Sequence, residues 1–193
     1  CVAYVPPGLG RRGQVNCRFP HGRSSAARNT SMPLNPDSEL AKLMATLPQV
    51  GTVQWIGLRP ARDEDMTQVE SVEATAEGGL RGDRYKGGSG KRGITLIQAE
   101  HLPAIAALSG RDIVPALLRR SVGAAGLRLV AVKARPCRTR DAAFEGTEPC
   151  DPCSRMEAAL GPGGYNAMRG MGGLCARIVS GGSFKLGDKV VAL

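Results

Sequence analysis

The first β-strand pattern of the chain is Gly51-Thr52-Val53-Gln54-Trp55-Ile56-Gly57-Leu58. Polar and apolar residues alternate in this stretch, as they do in a strand that covers one side of a core. Further strand patterns recur along the chain, with glycine-rich turns between the last of them. They are found at residues 68–76, 94–98, 127–132, 142–146, 175–179 and 189–193. Since no strand–helix–strand alternation accompanies them, the sequence predicts a mainly β fold, a β-barrel with a few peripheral helices.

Helical signals are few and short. Ser38 precedes residues 39–44 and predicts a capped helix that ends near Pro48. Further helices are predicted at residues 99–108, 115–120 and 154–160. We therefore expect an N-terminal helix and linker at residues 32–50, followed by one barrel domain at residues 51–193.

The composition limits the class of protein. The chain has 193 residues and a net charge of +9; hydrophobic residues make up 42% and aromatic residues only 4%. The core must therefore be built from aliphatic residues and alanine. No apolar run approaches the roughly 20 residues that cross a bilayer, so we expect no membrane-spanning segment and no membrane partner.

The positive charge is concentrated at one end of the chain. Residues 1–31 hold five arginines and no acidic residue, whereas residues 32–193 hold 21 basic and 17 acidic side chains, a net charge of +4. The first segment is rich in Pro, Gly, Ser and Arg and has no hydrophobic period, a composition that does not order itself. We expect residues 1–31 to be disordered or spurious, and the natural start to be Met32. No secretory signal is recognised, so we expect reduced cysteines and a cytoplasmic location.

A C-x-x-C motif is the main candidate for reactive chemistry: Pro149-Cys150-Asp151-Pro152-Cys153. A structural zinc site needs four ligands, and neither a second cysteine pair nor paired histidines follow. The motif is interpreted as one or two thiols near arginines, which favour the thiolate; inert buried thiols are the alternative. Elsewhere, His101 is expected to be a half-buried helix residue, and Cys137 and Cys175 are expected to lie in the core.

Two glycine-rich segments are candidate anion sites. Residues 78–93 contain seven glycines with Arg81, Arg84, Lys86, Lys91 and Arg92, and residues 161–173 offer Asn166 and Arg169. Glycine lets backbone N–H groups approach an anion, and the cations supply charge. Neither segment has the Walker A pattern, and no G-x-G-x-x-G joins a strand to a helix, as the dinucleotide-binding pattern requires. They favour one phosphorylated ligand held from several sides, with a solvated, flexible hairpin loop as the alternative for residues 78–93.

Several of these motifs closely resemble the MOSC domain family, which is named for the C-terminal domain of molybdenum-cofactor sulfurases. The matching stretches are residues 79–85, 94–100, 117–120, 145–157, 170–178 and 181–188, in the order and spacing of the short, free-standing bacterial members. The resemblance extends from Val53 to Val191. It implies a β-barrel of the pyruvate-kinase type and a bound molybdenum cofactor, whose phosphate and pterin suit the two glycine-rich segments.

The resemblance also implies roles for particular residues. The characteristic cysteine of the family corresponds to Cys150, a metal ligand in the molybdenum reductases and a participant in sulfur delivery in the sulfurases. Cys153 belongs to the subfamily pattern and is the second catalytic candidate. The residues expected to bind the cofactor are Arg81, Asp83, Arg84, Arg119, Arg120, Asn166 and Arg169.

Two activities follow from the resemblance. One is a small molybdenum reductase that cleaves the N–O bond of an N-hydroxylated small molecule. The other is a carrier of sulfur or cofactor through a cysteine thiolate. The sequence has no flavin, haem or iron–sulfur motif, so a reductase would need a separate electron donor. The larger sulfurases carry a pyridoxal-phosphate domain that this sequence lacks, so sulfur transfer would need a separate cysteine desulfurase.

The chain departs from the family pattern at five positions. The family often has His at Tyr85, Asn at Ser121, His at Met171, Gly at Arg140 and an aromatic or aliphatic residue at Cys137. Loss of the Asn removes a side chain able to fix a loop or contact the ligand. A catalytically degenerate barrel that serves as an interaction protein is therefore an alternative. A nucleic-acid-binding module is disfavoured, because aromatic residues for base stacking are scarce and most of the excess charge lies in residues 1–31.

Overall fold

A computed structural model describes residues 35–133 and 135–193. The predicted start at Met32 and the segment 1–31 lie outside these residues. The strands are β1 Val50–Leu58, β2 Thr67–Gln68, β3 Ser71–Thr75, β4 Gly79–Leu80, β5 Ile94–Gln98, β6 Val122–Ala125, β7 Pro136–Thr139, β8 Ala142–Pro149, β9 Leu174–Ser180, β10 Gly182–Lys185 and β11 Lys189–Ala192. The helices are α1 Glu39–Ala45, α2 His101–Ser109, α3 Ser154–Leu160 and α4 Gly164–Met168, with a 3-10 turn at Leu129–Val132.

Seven of these strands close into a barrel, in the order β1-β11-β7-β8-β9-β5-β6 and back to β1. The closing pair is β1 with β11, where Gly51 lies opposite Val190. Closure leaves no long unpaired edge on this sheet. The prediction of a mainly β barrel with a few helices is therefore confirmed.

One pair of neighbouring barrel strands is parallel. β5 pairs with β6, with Ile97 opposite Gly123, and helix α2 connects the two strands. The expectation that no strand–helix–strand unit would occur is therefore wrong at this point. The signal was hidden because β6 reads Val122-Gly123-Ala124-Ala125, whose small residues fit a fully buried strand but carry little β-propensity.

The barrel interior is mainly aliphatic, as the composition predicts. Its two phenylalanines, Phe144 of β8 and Phe184 of β10, meet edge to face with centroids 5.6 Å apart. β10 belongs to a second sheet, ordered β10-β3-β4, whose buried residues Val72, Leu80 and Phe184 join the barrel core. A separate cluster, which includes Ile105, Leu118 and Met168, packs under α2, α3 and α4 and fixes the loops at one end of the barrel.

Three local predictions need correction. Residues 115–119 form turns instead of a helix, and Arg119 has a left-handed φ of 53°. Residues 127–132 are not a strand, because the chain turns at Gly126, where φ is 79°, and then forms the 3-10 turn. β2, β4, β7, β10 and α4 were missed, since most of these elements span four residues or fewer.

The N-terminal helix is confirmed. The hydroxyl of Ser38 accepts a hydrogen bond from the backbone N–H of Ala41 at 3.2 Å, the contact expected of an N-cap. Arg135 donates to the carbonyl of Ala45 at 3.0 Å and so attaches the end of α1 to the barrel. Among the described residues, no helix combines the length and apolarity needed to cross a membrane.

We expect Phe144→Ala to lower the free energy of unfolding by about 3–5 kcal/mol, because it opens a cavity against Phe184 inside the barrel. Denaturant unfolding of the purified chain measures this loss. Val179→Ala, at an exposed position of the neighbouring strand β9, is the control and should change stability by less than about 0.5 kcal/mol. Equal losses in the two variants would contradict this assignment of the core.

Candidate functional site

A buried arginine organises the loops at one end of the barrel. Arg120 is 7% exposed. Its guanidinium donates to three carbonyl oxygens, those of Gly172 at 2.6 Å, Leu118 at 2.8 Å and Cys150 at 3.0 Å. The N–H of Cys150 also donates to the carbonyl of Gly173 at 2.9 Å. We call the two segments joined in this way, residues 149–151 and 172–174, the ridge.

The ridge depends on glycine for its close packing. A Cβ atom at Gly172 would collide with the carbonyl oxygen of Cys150. A Cβ atom at Gly173 would collide with the carbonyl oxygen of Leu96, and Gly173 also has a left-handed φ of 97°. The second glycine-rich segment therefore has a structural role at its C-terminal end, where backbone must lie against backbone.

A cleft of about 570 Å³ lies on one side of the ridge, and we call it the thiol cleft. Its lining includes both cysteines of the C-x-x-C motif together with Arg59, Tyr85, Arg92, Thr95, Arg119, Arg120, Asp151 and Arg155. Cys150 is 8% exposed, and Cys153 is exposed at the start of α3. The structure therefore places Cys150 and Cys153 in one cleft with five arginines, as the sequence analysis expects.

The environment of Cys150 favours its thiolate. A hydrogen bond from the Cys175 thiol lowers the pKa of Cys150, and the charges of Arg120 and Arg92 lower it further against the opposing effect of burial. The same hydrogen bond, together with burial, raises the pKa of Cys175. Cys175 thus acts as the neutral donor and Cys150 as the acceptor. A thiolate is the form that serves as nucleophile and as metal ligand.

The chain offers few other metal ligands near Cys150. Within residues 35–133 and 135–193, His, Cys, Asp and Glu nowhere form a group of three or more that could hold a metal ion. Cys137, Cys150, Cys153 and Cys175 are all free thiols. Burial raises the pKa of Cys137 to about 11, as suits an inert core residue. A metal at Cys150 would therefore need most of its ligands from a cofactor.

Arg59 is held by a buried carboxylate. The side chain of Asp83 is 2% exposed, and its Oδ1 accepts from the Arg59 Nη2 at 2.8 Å. Oδ2 accepts from the Arg59 Nε at 3.0 Å and from its backbone N–H at 2.9 Å. Burial by itself would raise the pKa of Asp83, but these hydrogen bonds and the charge of Arg59 lower it. Asp83 was expected to bind the cofactor, and the structure shows it orienting an arginine of the thiol cleft.

A second cleft adjoins the first. This loop cleft, of about 640 Å³, is lined by residues 59–62 and 84–86. Arg59 and Tyr85 line both clefts, so the two are continuous at these side chains. The loop cleft adds Arg62, Arg84 and Lys86 to the cationic surface. The glycine-rich segment 78–93 is thus an exposed loop whose residues 84–86 also line a cationic cleft that suits an anion.

Arg119 carries a donor without a partner. Its Nη1 donates to the carbonyl of Glu64 at 2.7 Å. Its Nη2 is buried and has no hydrogen-bond partner among the described residues. A buried, unpaired donor on a cationic side chain is costly, so an acceptor from a ligand would complete this site.

The structure does not bring all of the predicted residues together. Arg84, Arg119, Arg120, Cys150 and Cys153 line the two clefts. Four others line neither. Asp83 is buried behind Arg59, Arg81 pairs with Glu73 at 3.2 Å, and Asn166 and Arg169 are exposed on and after α4. Sequence reasoning missed Arg59, Arg155 and the contact of Cys175, and it treated Arg92 only as one of several loop cations. No local motif marks these residues, because distant segments bring them to the cleft.

Two departures from the family pattern have a structural account. Ser121 is buried, and its hydroxyl lies 3.1 Å from that of Thr95, a residue of the thiol cleft. Ser121 therefore supports the cleft wall, although it is shorter than Asn. Arg140 adopts a left-handed φ of 49°, a conformation that suits the glycine expected here from the family resemblance.

The lowered pKa of Cys150 predicts fast alkylation below the pH at which an ordinary thiol reacts. The rate should rise with pH and level off below about pH 8.5, the usual thiol pKa, because the thiolate is already formed. Cys175→Ala should move the curve to higher pH, whereas Cys175→Ser keeps an O–H donor and should restore it in part. Peptide-level mass spectrometry after alkylation with iodoacetamide reports Cys150 alone. Coincident curves for the wild type and Cys175→Ala would contradict the assigned hydrogen bond.

The chain is similar in fold to several solved structures. The YuaD protein from Bacillus subtilis matches with a TM-score of 0.66 at 17% identity, over 75% of this chain and 97% of that chain. YiiM from Geobacillus stearothermophilus matches with a TM-score of 0.62 at 18% identity, over 74% of this chain and 75% of that one. YiiM from Escherichia coli matches with a TM-score of 0.58 at 17% identity, over 74% and 69% of the two chains.

No protein with a curated description matches the chain. The sequence does match the model of the MOSC domain over residues 83–191, more than half of its length. This range contains most of the barrel, the C-x-x-C motif and both segments of the ridge. The chain therefore belongs to the MOSC domain family.

Proposed function

We propose that the protein binds the molybdenum cofactor across the thiol cleft and the loop cleft, with Cys150 as the ligand to the metal. MOSC domains are associated with this cofactor. The observation that carries the proposal is the position of Cys150. A thiol whose surroundings lower its pKa lines a cleft that also contains five arginines and continues into a second cationic cleft.

The charges favour an anionic ligand that extends over both clefts. In the thiol cleft, carboxylates pair with Arg59, Arg92 and Arg155. Arg119 and Arg120 have no such partner among the described residues and donate to carbonyl oxygens. In the loop cleft, Arg84 and Lys86 likewise form no salt bridge with a described residue. A phosphate on Arg84 and Lys86 and an acceptor on the free Nη2 of Arg119 would satisfy these groups.

Each part of the chain then has a distinct task. Cys150 would supply a thiolate, which suits a soft metal centre. Arg120 holds the thiolate in place through the Cys150 carbonyl and stabilises its charge. Asp83 lines neither cleft, and its role is to orient Arg59, which lies where the two clefts meet. Arg81, Asn166 and Arg169 line neither cleft, and we assign them no part in binding.

The reaction that best fits this arrangement is reduction of an N-hydroxylated small molecule. When bound, the cofactor would supply a redox-active metal for cleavage of the N–O bond. The chain itself would bind the substrate in the thiol cleft beside Cys150, with arginine N–H groups to stabilise oxyanions. A separate electron donor would supply the electrons. Free thiols in the described chain suit a reducing, cytoplasmic setting.

Sulfur or cofactor delivery is the second candidate, and Cys153 is the observation that favours it. Cys153 is exposed and lines the same cleft as Cys150, so a second thiol is available at the point of transfer. A cysteine desulfurase would be the sulfur source. In this case Cys153→Ser should slow release of persulfide sulfur, whereas in a reductase it should leave cofactor content unchanged.

The test is the cofactor content of the full chain, expressed with the cofactor pathway active. We expect the wild type to carry molybdenum and pterin, measured by elemental analysis and by fluorescence of the oxidised pterin. Cys150→Ala should lose most of the metal, because the thiolate ligand is gone. Arg84→Glu should lose both metal and pterin, because it reverses the charge of the loop cleft.

Arg138→Glu, at an exposed position of β7 that lines neither cleft, is the matched control and should retain both. If Cys150→Ala retains both the pterin and its full metal content, the thiol does not anchor the cofactor. That result would favour sulfur transfer. Protein that is free of metal and pterin and retards DNA at moderate salt would overturn the proposal in favour of nucleic-acid binding.

A further inference from the structure

A third cleft also borders the ridge, and we call it the rear cleft. It encloses about 230 Å³, and Gly172 and Gly173 of the ridge are in its lining. Asp151 is the residue that it shares with the thiol cleft. The proposed function uses none of its side chains. Its lining nevertheless contains a fixed set of polar groups.

Two cations of the rear cleft lack an acidic partner. Arg128 and Lys133 both line it, and neither forms a salt bridge with any described carboxylate. The hydrogen bonds of Arg128 to described residues use Nη1 alone, which lies 3.5 Å from the Gln98 Oε1 and 2.8 Å from the His101 Nε2. Its Nε and Nη2 hydrogens are left for a ligand, and their fork geometry suits a carboxylate.

Neighbouring side chains hold Arg128 in place. The Nε2 of His101 contacts the Arg128 Nη1, and the Nδ1 of the same ring lies 3.4 Å from the Met171 carbonyl. Gln98 is 9% exposed, and its Oε1 also accepts from the N–H of Leu129 at 3.3 Å. The exposed Arg128 is therefore oriented through its Nη1 by a buried amide and by an imidazole.

Four of the remaining lining residues are apolar: Leu129, Val130, Pro149 and Leu174. Asp151 is the one carboxylate of the lining, and it lies where the rear cleft meets the thiol cleft. An ion as small as phosphate would leave these walls uncovered, whereas a neutral apolar molecule would leave the two cations without a partner. From this combination we propose that the rear cleft is a binding site for a small organic carboxylate with an apolar body. The carboxylate would bind Arg128 and Lys133, and the body would cover the apolar walls.

This site is independent of the proposed cofactor site. The two clefts share only Asp151, and no residue assigned to the cofactor lines the rear cleft. The carboxylate should therefore bind whether or not the protein carries a cofactor. Failure of cofactor binding would leave this inference standing, and its own failure would leave the proposed function standing.

The experiment is titration of the full chain with benzoate, followed by amide chemical shifts in ¹⁵N-labelled protein. We expect a dissociation constant of about 1 mM or lower, with the largest shifts at residues of the rear cleft such as Leu129, Gly170 and Leu174. Benzyl alcohol, which keeps the apolar body without the charge, and inorganic phosphate, which keeps charge without the body, should each bind more weakly.

Lys133→Ala and Arg128→Ala should each weaken benzoate binding by about two- to fivefold, as expected for loss of one exposed ion pair. Lys133→Ala keeps the test valid if removal of Arg128 disturbs His101. Arg138→Ala, with the same change of charge outside the cleft, should bind as the wild type does. Absence of shifts up to about 10 mM, shifts confined to the thiol cleft, or equal weakening by Arg138→Ala would overturn the inference.

Discussion

The guanidinium of Arg120 is the group on which the candidate site depends. It is buried, and it donates to three carbonyl oxygens from segments that are far apart in sequence. A buried charge of this kind is tolerated only when its donors are paired. Arg120 thus joins three segments: the turn after α2, the C-x-x-C loop and the glycine-rich loop before β9. Cys150 takes its position from this contact and part of its thiolate character from the same charge.

The close approach of the ridge segments also determines how the surface is divided. Because Gly172 and Gly173 admit no side chain, the two segments of the ridge lie directly against each other, and residues of the ridge line both the thiol cleft and the rear cleft. Cys150 and five arginines line the thiol cleft, whereas Arg128 and Lys133 line the rear cleft. The loop cleft joins only the first, through Arg59 and Tyr85. One barrel end therefore carries two cationic regions with different shapes, of which one has a thiol.

Regular elements with a clear pattern could be predicted from the sequence. β5 and α3 have the predicted bounds, and the barrel and the capped α1 were recognised. The reactivity of Cys150 stays a prediction. The missed parts depend on long-range contacts. β6 is a strand because it is buried between β5 and β1, despite its glycine and alanines. Likewise, Arg59 and Cys175 reach the site only through barrel closure and strand pairing, which no local motif encodes.

The central claim is that Cys150 ligates molybdenum through its thiolate. X-ray absorption at the molybdenum edge tests it most directly, on protein purified with the cofactor, with the wild type compared with Cys150→Ser. The account predicts that the sulfur contribution to the first coordination shell, per molybdenum, is smaller in Cys150→Ser. An identical sulfur shell in the two proteins would contradict it.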